Sequence, residues 1–167
     1  MDKLKIEIRR CEPDDYRALQ SIFQQPRAIW GTLQVPYASA EVWRRRLAEQ
    51  PDGMHSLVAC VDEEVVGSLS LAAGSRSPRR RHAGELGMAV HDDWAGQGVG
   101  AALMRAAIDL ADRWLNLTRL ELTVYADNEP AVRLYKRSGF RVEGTLRRFA
   151  WRDGAYADAL YMARLRN

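Results

Sequence analysis

Gly96-Gln97-Gly98-Val99-Gly100 is the stretch of this chain with the plainest chemical meaning. It comes after a strand-like run, Glu85 to Val90, and opens a helix that carries Leu103 and Met104. A glycine-rich turn between a strand and a helix leaves a row of backbone N–H groups facing outward. The positive end of the helix dipole adds to them, and together they seat a phosphate. The same local pattern also serves as a tight connection with no ligand, so its meaning depends on the residues beyond the helix. Asn128 to Phe140 is the second informative stretch. Asn128 has helix-capping chemistry with Pro130 just inside, and Tyr135 lies two turns later on about the same face. Other chemistries lack their residues. His55, His82 and His91 show no metal-ligand spacing, no Gly-x-Ser-x-Gly elbow is present, and no lysine completes a Walker turn. No metal is expected.

The elements that must position these residues can be read from periodicity and turn chemistry. Ile6 and Ile8 alternate with charged residues and predict an opening strand. Glu12 to Asp15 starts a helix with the stripe Leu19, Ile22 and Phe23. Residues 26–36, with Pro26, Trp30, Gly31 and Pro36, read as a loop, and a second helix runs from Ser39 to about Ala48. His55 to Val61 and Val65 to Ala72 form a hairpin about Asp62-Glu63-Glu64. A polar, basic loop from Arg76 to Arg81 precedes the Glu85 strand, and the helix after the glycines continues to Trp114. Arg119 to Tyr125 is a strand, and the Asn128 helix ends at Gly139. Phe140 to Val142 and Leu146 to Trp151 suggest strand. Arg152-Asp153-Gly154 turns the chain into a last strand, Tyr156 to Leu165. The order β-α-α-β-β-β-α-β-α-β-β predicts a mixed α/β (α+β) domain, with one parallel crossover between the strands at Glu85 and Arg119.

The 167 residues fit a single domain spanning 1–167, and 47% hydrophobic residues can fill one core. The N-terminus lacks a signal-peptide apolar region, and no run is long enough to span a bilayer, so a cytoplasmic protein is expected. Cys11 and Cys60 read as reduced, packed residues. The net charge of +3 comes largely from Arg44-Arg45-Arg46, Arg79-Arg80-Arg81 and Arg147-Arg148, which read as solvated faces rather than a nucleic-acid surface.

With those motifs in order, the chain resembles the GCN5-related N-acetyltransferases (GNAT). The resemblance covers nearly the whole length and is strongest from Glu85 to Phe140. There the glycine turn, Trp94 to Met104, leads on to the block Asn128-x-x-Ala131-x-x-Leu134-Tyr135-x-x-x-Gly139-Phe140. The Thr32 to Pro36 loop and the Arg152 to Asp158 hairpin are similar, more narrowly, to YhhY-type L-amino-acid N-acetyltransferases. The implied fold is a mostly antiparallel sheet with one parallel strand pair splayed around the CoA site and helices on both faces. The implied reaction is acetyl transfer from acetyl-CoA, as co-substrate, to the primary amine of a small molecule, most simply a free L-amino acid. A homodimer is compatible with the family.

The resemblance also implies roles. Gly96, Gln97, Gly98, Val99, Gly100 and Ala101 would hold the diphosphate through backbone N–H groups. Met88, Ala89 and Val90 would bond the pantetheine arm, and one of their N–H groups could polarise the thioester carbonyl. Asn128 would contact the same arm, or serve only as a cap. Tyr135 would be general acid for the departing thiolate, or a buried tyrosine paired to backbone. Glu85 would be general base, directly or through water, its pKa raised by burial, or else an edge glutamate facing solvent. Glu121 and Tyr125 are weaker candidates. Gln34 and Tyr37, with Arg147 or Arg148, would meet the acceptor. The family's usual Arg or Gln at the head of the turn is Ala95 here, so backbone donors must carry more of the diphosphate. Two other readings remain open. The acceptor could be a protein N-terminus or lysine, or the domain could be a non-catalytic CoA-binding or basic RNA-binding module.

Overall fold

The computed structural model describes residues 4–74 and 77–167; Met1 to Lys3, and Arg76 of the expected basic loop, lie outside the described residues. Seven strands form one sheet in the order β1-β2-β3-β4-β5-β7-β6. They are β1 (Glu7–Arg10), β2 (Met54–Val61), β3 (Glu64–Ala72), β4 (Ala83–Val90), β5 (Arg119–Tyr125), β6 (Arg141–Arg152) and β7 (Ala155–Leu165). Five α-helices accompany them: α1 (Tyr16–Phe23), α2 (Pro26–Gly31), α3 (Ala40–Ala48), α4 (Val99–Arg113) and α5 (Glu129–Arg137). Every pairing is antiparallel except β4 with β5.

Period-2 alternation along the central strands divides the core between the two faces. Leu69 and Leu71 of β3, Leu86 of β4 and Leu120 and Leu122 of β5 meet Val99, Leu103, Met104 and Ala107 of α4, with Tyr135 and Phe140. On the other face Val58 and Cys60 of β2 meet Leu19, Trp43 and Leu47 of α1 and α3. Ala89 of β4 meets Ile22 and Ala28 of α1 and α2 there. Cys11 and Cys60 are both free and buried.

Local signals place most ends. Ser39 caps α3 by accepting from the Glu41 amide at 3.2 Å, and Asn128 caps α5 by accepting from Ala131 at 3.4 Å. Gly139, at φ +92°, ends α5 in the left-handed conformation that glycine adopts without penalty. One departure from the sequence expectations matters. Residues 26–31, expected as loop, form helix α2, with Pro26 in its first turn and the Asp92 carboxylate accepting from the Arg27 amide at 3.1 Å. The strand expected over Phe140–Val142 and Leu146–Trp151 is β6, which starts at Arg141 and carries register shifts between Val142 and Gly144 and between Leu146 and Ala150.

Gly67 of β3 lies under the first turn of α4. A Cβ there would sit 2.8 Å from Val99 Cγ1 and 3.1 Å from Leu103 Cδ1. Gly67→Val therefore overpacks the contact that seats the glycine turn on the sheet. It should lower stability by about 1–3 kcal/mol, read as a lower urea midpoint at unchanged slope.

Candidate active site

The parallel β4–β5 ladder has three pairs, Ala83↔Arg119, Gly84↔Leu120 and Glu85↔Glu121, and then stops. Beyond it β4 stays on β3 as far as Val90, and β5 stays on β7 as far as Tyr125. The two strands thus splay, and the inner edges of Met88 to Val90 and of Leu122 to Tyr125 face a gap instead of each other. An extended, amide-bearing arm can enter such a gap as a short additional strand.

The glycine turn stands at the mouth of this gap. Gly98 precedes α4 at φ +90° and Gly96 has φ +74°. Among the described residues, none of the backbone N–H groups from Gly96 to Ala101 has a hydrogen-bond acceptor, the first helical bond being Ala102 N–H to Gly98 O at 3.0 Å. A Cβ built on Gly96 would meet nothing within 4 Å, so its surroundings are open. A Cβ on Gly100 would lie 3.1 Å from Leu134 Cδ2 and 3.5 Å from Met88 Cε, which brings the turn, β4 and α5 together. Six unpaired donors at a helix N-terminus fit a diphosphate in number and charge. The side chains in the turn are otherwise occupied. Val99 is core, and Gln97 Nε2 donates back to Asp93 O at 2.8 Å. The amide nitrogen of Asn128 makes no hydrogen bond among the described residues and points at α2. A Cβ on Gly31 would come within 3.1 Å of it.

Tyr135 is packed in the core of the α4 face, its ring 6.0 Å from that of Phe140. No hydrogen bond among the described residues uses its hydroxyl, and burial pushes its pKa up to about 12. Such a phenol stays protonated at neutral pH, so its O–H remains a hydrogen-bond donor.

Glu85 takes the solvent-facing alternative. Its side chain is exposed, because α1 to α3 cover β1 to β3 and the inner part of β4 but leave this end of β4 bare. Its register partner Glu121 leaves the sheet on the same face and is buried. The two, with Arg80, line a cavity of about 310 Å³. Burial opposes ionisation of Glu121, but hydrogen bonds from Arg119 (2.6 Å), Tyr161 (2.7 Å) and Arg80 (2.7 and 2.8 Å) outweigh it and hold its carboxyl down to about 2. The carboxylate of Glu121, a weaker candidate in the sequence, is thus engaged by three side chains of the fold. Tyr125 is also occupied: its hydroxyl donates to Thr32 O at 3.4 Å and its ring faces Arg152.

The acceptor candidates do not converge. Tyr37 is 98% exposed at φ +65° and projects into solvent. Gln34 Oε1 accepts from Arg46 at 3.3 Å, and Arg147 is exposed on β6. The bulge between Leu146 and Ala150 instead turns Phe149 against Tyr125, with ring centroids 6.1 Å apart. Arg80, Tyr161 and Arg152 went unnoticed at the sequence level, where each reads as a surface residue of a loop or hairpin. No cluster that could hold a metal ion occurs among the described residues, and no helix there is long and apolar enough to cross a membrane.

Comparison with known proteins agrees with this geometry. The profile of the Acetyltransferase (GNAT) family matches residues 16–140. An L-amino acid N-acetyltransferase, AaaT, of Escherichia coli strain K12 is 46% identical over 97% of this chain and 99% of its own. A GNAT-family acetyltransferase from Streptococcus pneumoniae superposes with a TM-score of 0.83 at 27% identity, over 98% of this chain and all of that one. A ribosomal-protein-alanine N-acetyltransferase from Brucella melitensis does so at 0.83 and 27%, over 96% and 99%.

The Glu121 cluster makes a pH prediction. The folded pKa lies below the unfolded value near 4.3, so the cluster stabilises fully above about pH 5 and loses its contribution as pH falls toward 2. Glu121→Gln should cost about 3 kcal/mol at pH 7, and the gap to the unaltered protein should shrink steadily in urea melts taken down to pH 2.

Proposed function

The chain belongs to the GNAT acetyltransferase family and is an N-acetyltransferase; from that premise we propose that it moves the acetyl group of acetyl-CoA to the α-amine of a free L-amino acid. The observation that carries the proposal is the splay of β4 from β5 with six unpaired amides at its mouth. The amino-acid acceptor is supported by near full-length likeness to a relative that bears that name.

In this reading the amides of Gly96 to Ala101 hold the diphosphate. Met88 to Val90 offer their free N–H and C=O groups to the pantetheine arm, and Asn128 adds its Nδ2. The amine nitrogen attacks the thioester carbonyl, the C–S bond breaks, and the thiolate takes a proton from the Tyr135 hydroxyl, which solvent later replaces. The ammonium loses its proton to Glu85. The exposure of Glu85 favours transfer through a water over direct contact. Arg148 lies over Tyr156 (5.3 Å) and Arg152 pairs with Asp127, so of these three arginines near the hairpin turn it is Arg147 that has no partner among the described residues. It is the side chain there free to meet a carboxylate.

A protein N-terminus is the second reading, favoured by the structural likeness to a ribosomal-protein-alanine N-acetyltransferase. The RNA-binding reading loses support because members of the basic clusters are engaged within the chain: Arg44 pairs with Glu41, Arg46 stacks on Trp43, and Arg80 holds Glu121. We also infer a cytoplasmic homodimer. Edge strand β6 is exposed from residue 141 to 148, and an open edge of that length invites a second copy. Sedimentation at micromolar concentration should give twice the chain mass, and a monomer would count against it.

An acceptor panel of free amino acids, polyamines and peptides, monitored by CoA release, should show turnover of amino acids above the rest. Turnover confined to peptides would move the assignment to the second reading. Tyr135→Phe should lower kcat about a hundredfold with acetyl-CoA affinity retained, and unchanged turnover would remove its role. Glu85→Gln should lower kcat about a hundredfold, and unchanged turnover would remove its role as base.

A further inference from the structure

We propose that Arg152 is a positioning residue that fixes the acceptor side of the site against the thioester gap, an inference that rests on the acetyltransferase reading. Arg152 ends β6 beside the Asp153-Gly154 turn. Its guanidinium lies between two aromatic rings, 3.6 Å from the centroid of Trp30 and 4.4 Å from that of Tyr125. The same group donates to Trp30 O at 3.2 Å and to both carboxylate oxygens of Asp127. One side chain, only 14% exposed, therefore joins the end of β6, helix α2, the end of β5 and the link into α5.

What it joins is the two halves of the site. Trp30 is next to Gly31 and Asp127 next to Asn128, and a Cβ on Gly31 would lie 3.1 Å from Asn128 Nδ2. The opposite end of α2 is held by Asp92, just ahead of the glycine turn. Helix α2 is thus tied at both ends to segments that border the gap, with Ala28 packed on Ala89 between them. Arg152 is the tie on the acceptor side. Its charge is answered by Asp127 and its faces by rings, so it sets the place of Trp30 and Tyr125 without itself meeting the reacting atoms. A lysine cannot reproduce this, because an ammonium neither stacks between two rings nor forks onto a carboxylate.

The test uses the full chain with acetyl-CoA and whichever L-amino acid the unaltered enzyme turns over fastest. Arg152→Met should raise the acceptor KM at least tenfold while kcat falls no more than threefold and the acetyl-CoA KM stays within threefold. That split marks lost uniform binding of the acceptor rather than lost chemistry. Arg152→Lys should leave the acceptor KM raised at least threefold. Trp30→Leu should reproduce the rise, and the double variant should add less than the product of the single effects, since the two residues form one unit. An acceptor KM within twofold of the unaltered value in Arg152→Lys or Arg152→Met overturns the proposal, as does a fall in kcat alone. Should Arg152→Met fail to fold, the lysine variant decides. An unaltered enzyme that binds CoA but acetylates no amino acid overturns the functional reading and this inference with it. Turnover with unmoved variants overturns this inference alone.

Discussion

Three parallel pairs between β4 and β5, ending at Glu85↔Glu121, are the constraint on which the rest of the site depends. A strand that leaves its neighbour exposes main-chain donors and acceptors that water or a ligand must satisfy. The sheet tolerates this because each strand keeps its other partner. Met88 to Val90 remain on β3, and Leu122 to Tyr125 remain on β7. The point of divergence is anchored by Glu121, which gathers Arg80 from the preceding loop, Arg119 from its own strand and Tyr161 from β7. A fifth member, Glu143 of β6, pairs with Arg119. The charge network sits where the strands are still joined, and the gap opens just beyond it. The anchor and the opening are two ends of one arrangement.

How far the sequence revealed this depends on how local each signal is. The glycine turn, the Asn128 cap and the Gly139 stop are set by backbone conformation within a few residues, and their chemistry is visible in the letters. The alternation of Leu120, Leu122 and Val124 likewise reports one face of one strand. Helix α2 escaped because six residues cannot show a period, and what holds it lies elsewhere: the carboxylate capping it is 65 positions away. For Glu85 a buried and a solvent-facing place were both open, because strand order alone does not say where the covering helices end. Arg152 escaped for the opposite reason. Its setting is made by residues 25 and 122 positions distant, and a hairpin arginine looks solvated until the rings of Trp30 and Tyr125 are seen around it.

The same distinction separates candidates that share a residue type. Glu85 and Glu121 face each other across the ladder, yet one is bare and the other saturated by three donors. Tyr135 and Tyr125 are both buried, but the hydroxyl of the first has no partner among the described residues and that of the second is spent on Thr32. Arg147, Arg148 and Arg152 belong to one hairpin, and of the three the first is uncommitted. Function here comes from which polar groups the fold leaves unsatisfied.

That rule also explains how the turn can work with Ala95 at its head. A diphosphate needs donors whose positions are fixed before it arrives, since each donor that must be ordered on binding costs entropy. In this turn no side chain is free to supply them: Gln97 folds back onto Asp93, and Val99 is driven into the core beneath α4. The donors are the amides alone, and their direction is set by the positive φ at Gly96 and Gly98 and by the close packing of Gly100 on Leu134 and Met88. An arginine at position 95 would add a mobile charge to a cradle that is already rigid. The burden therefore falls on what keeps it rigid, and that is the seating of α4 on β3 at Gly67 and on β4 at Met88. In the proposed site, core packing and phosphate affinity are therefore coupled through a single helix turn.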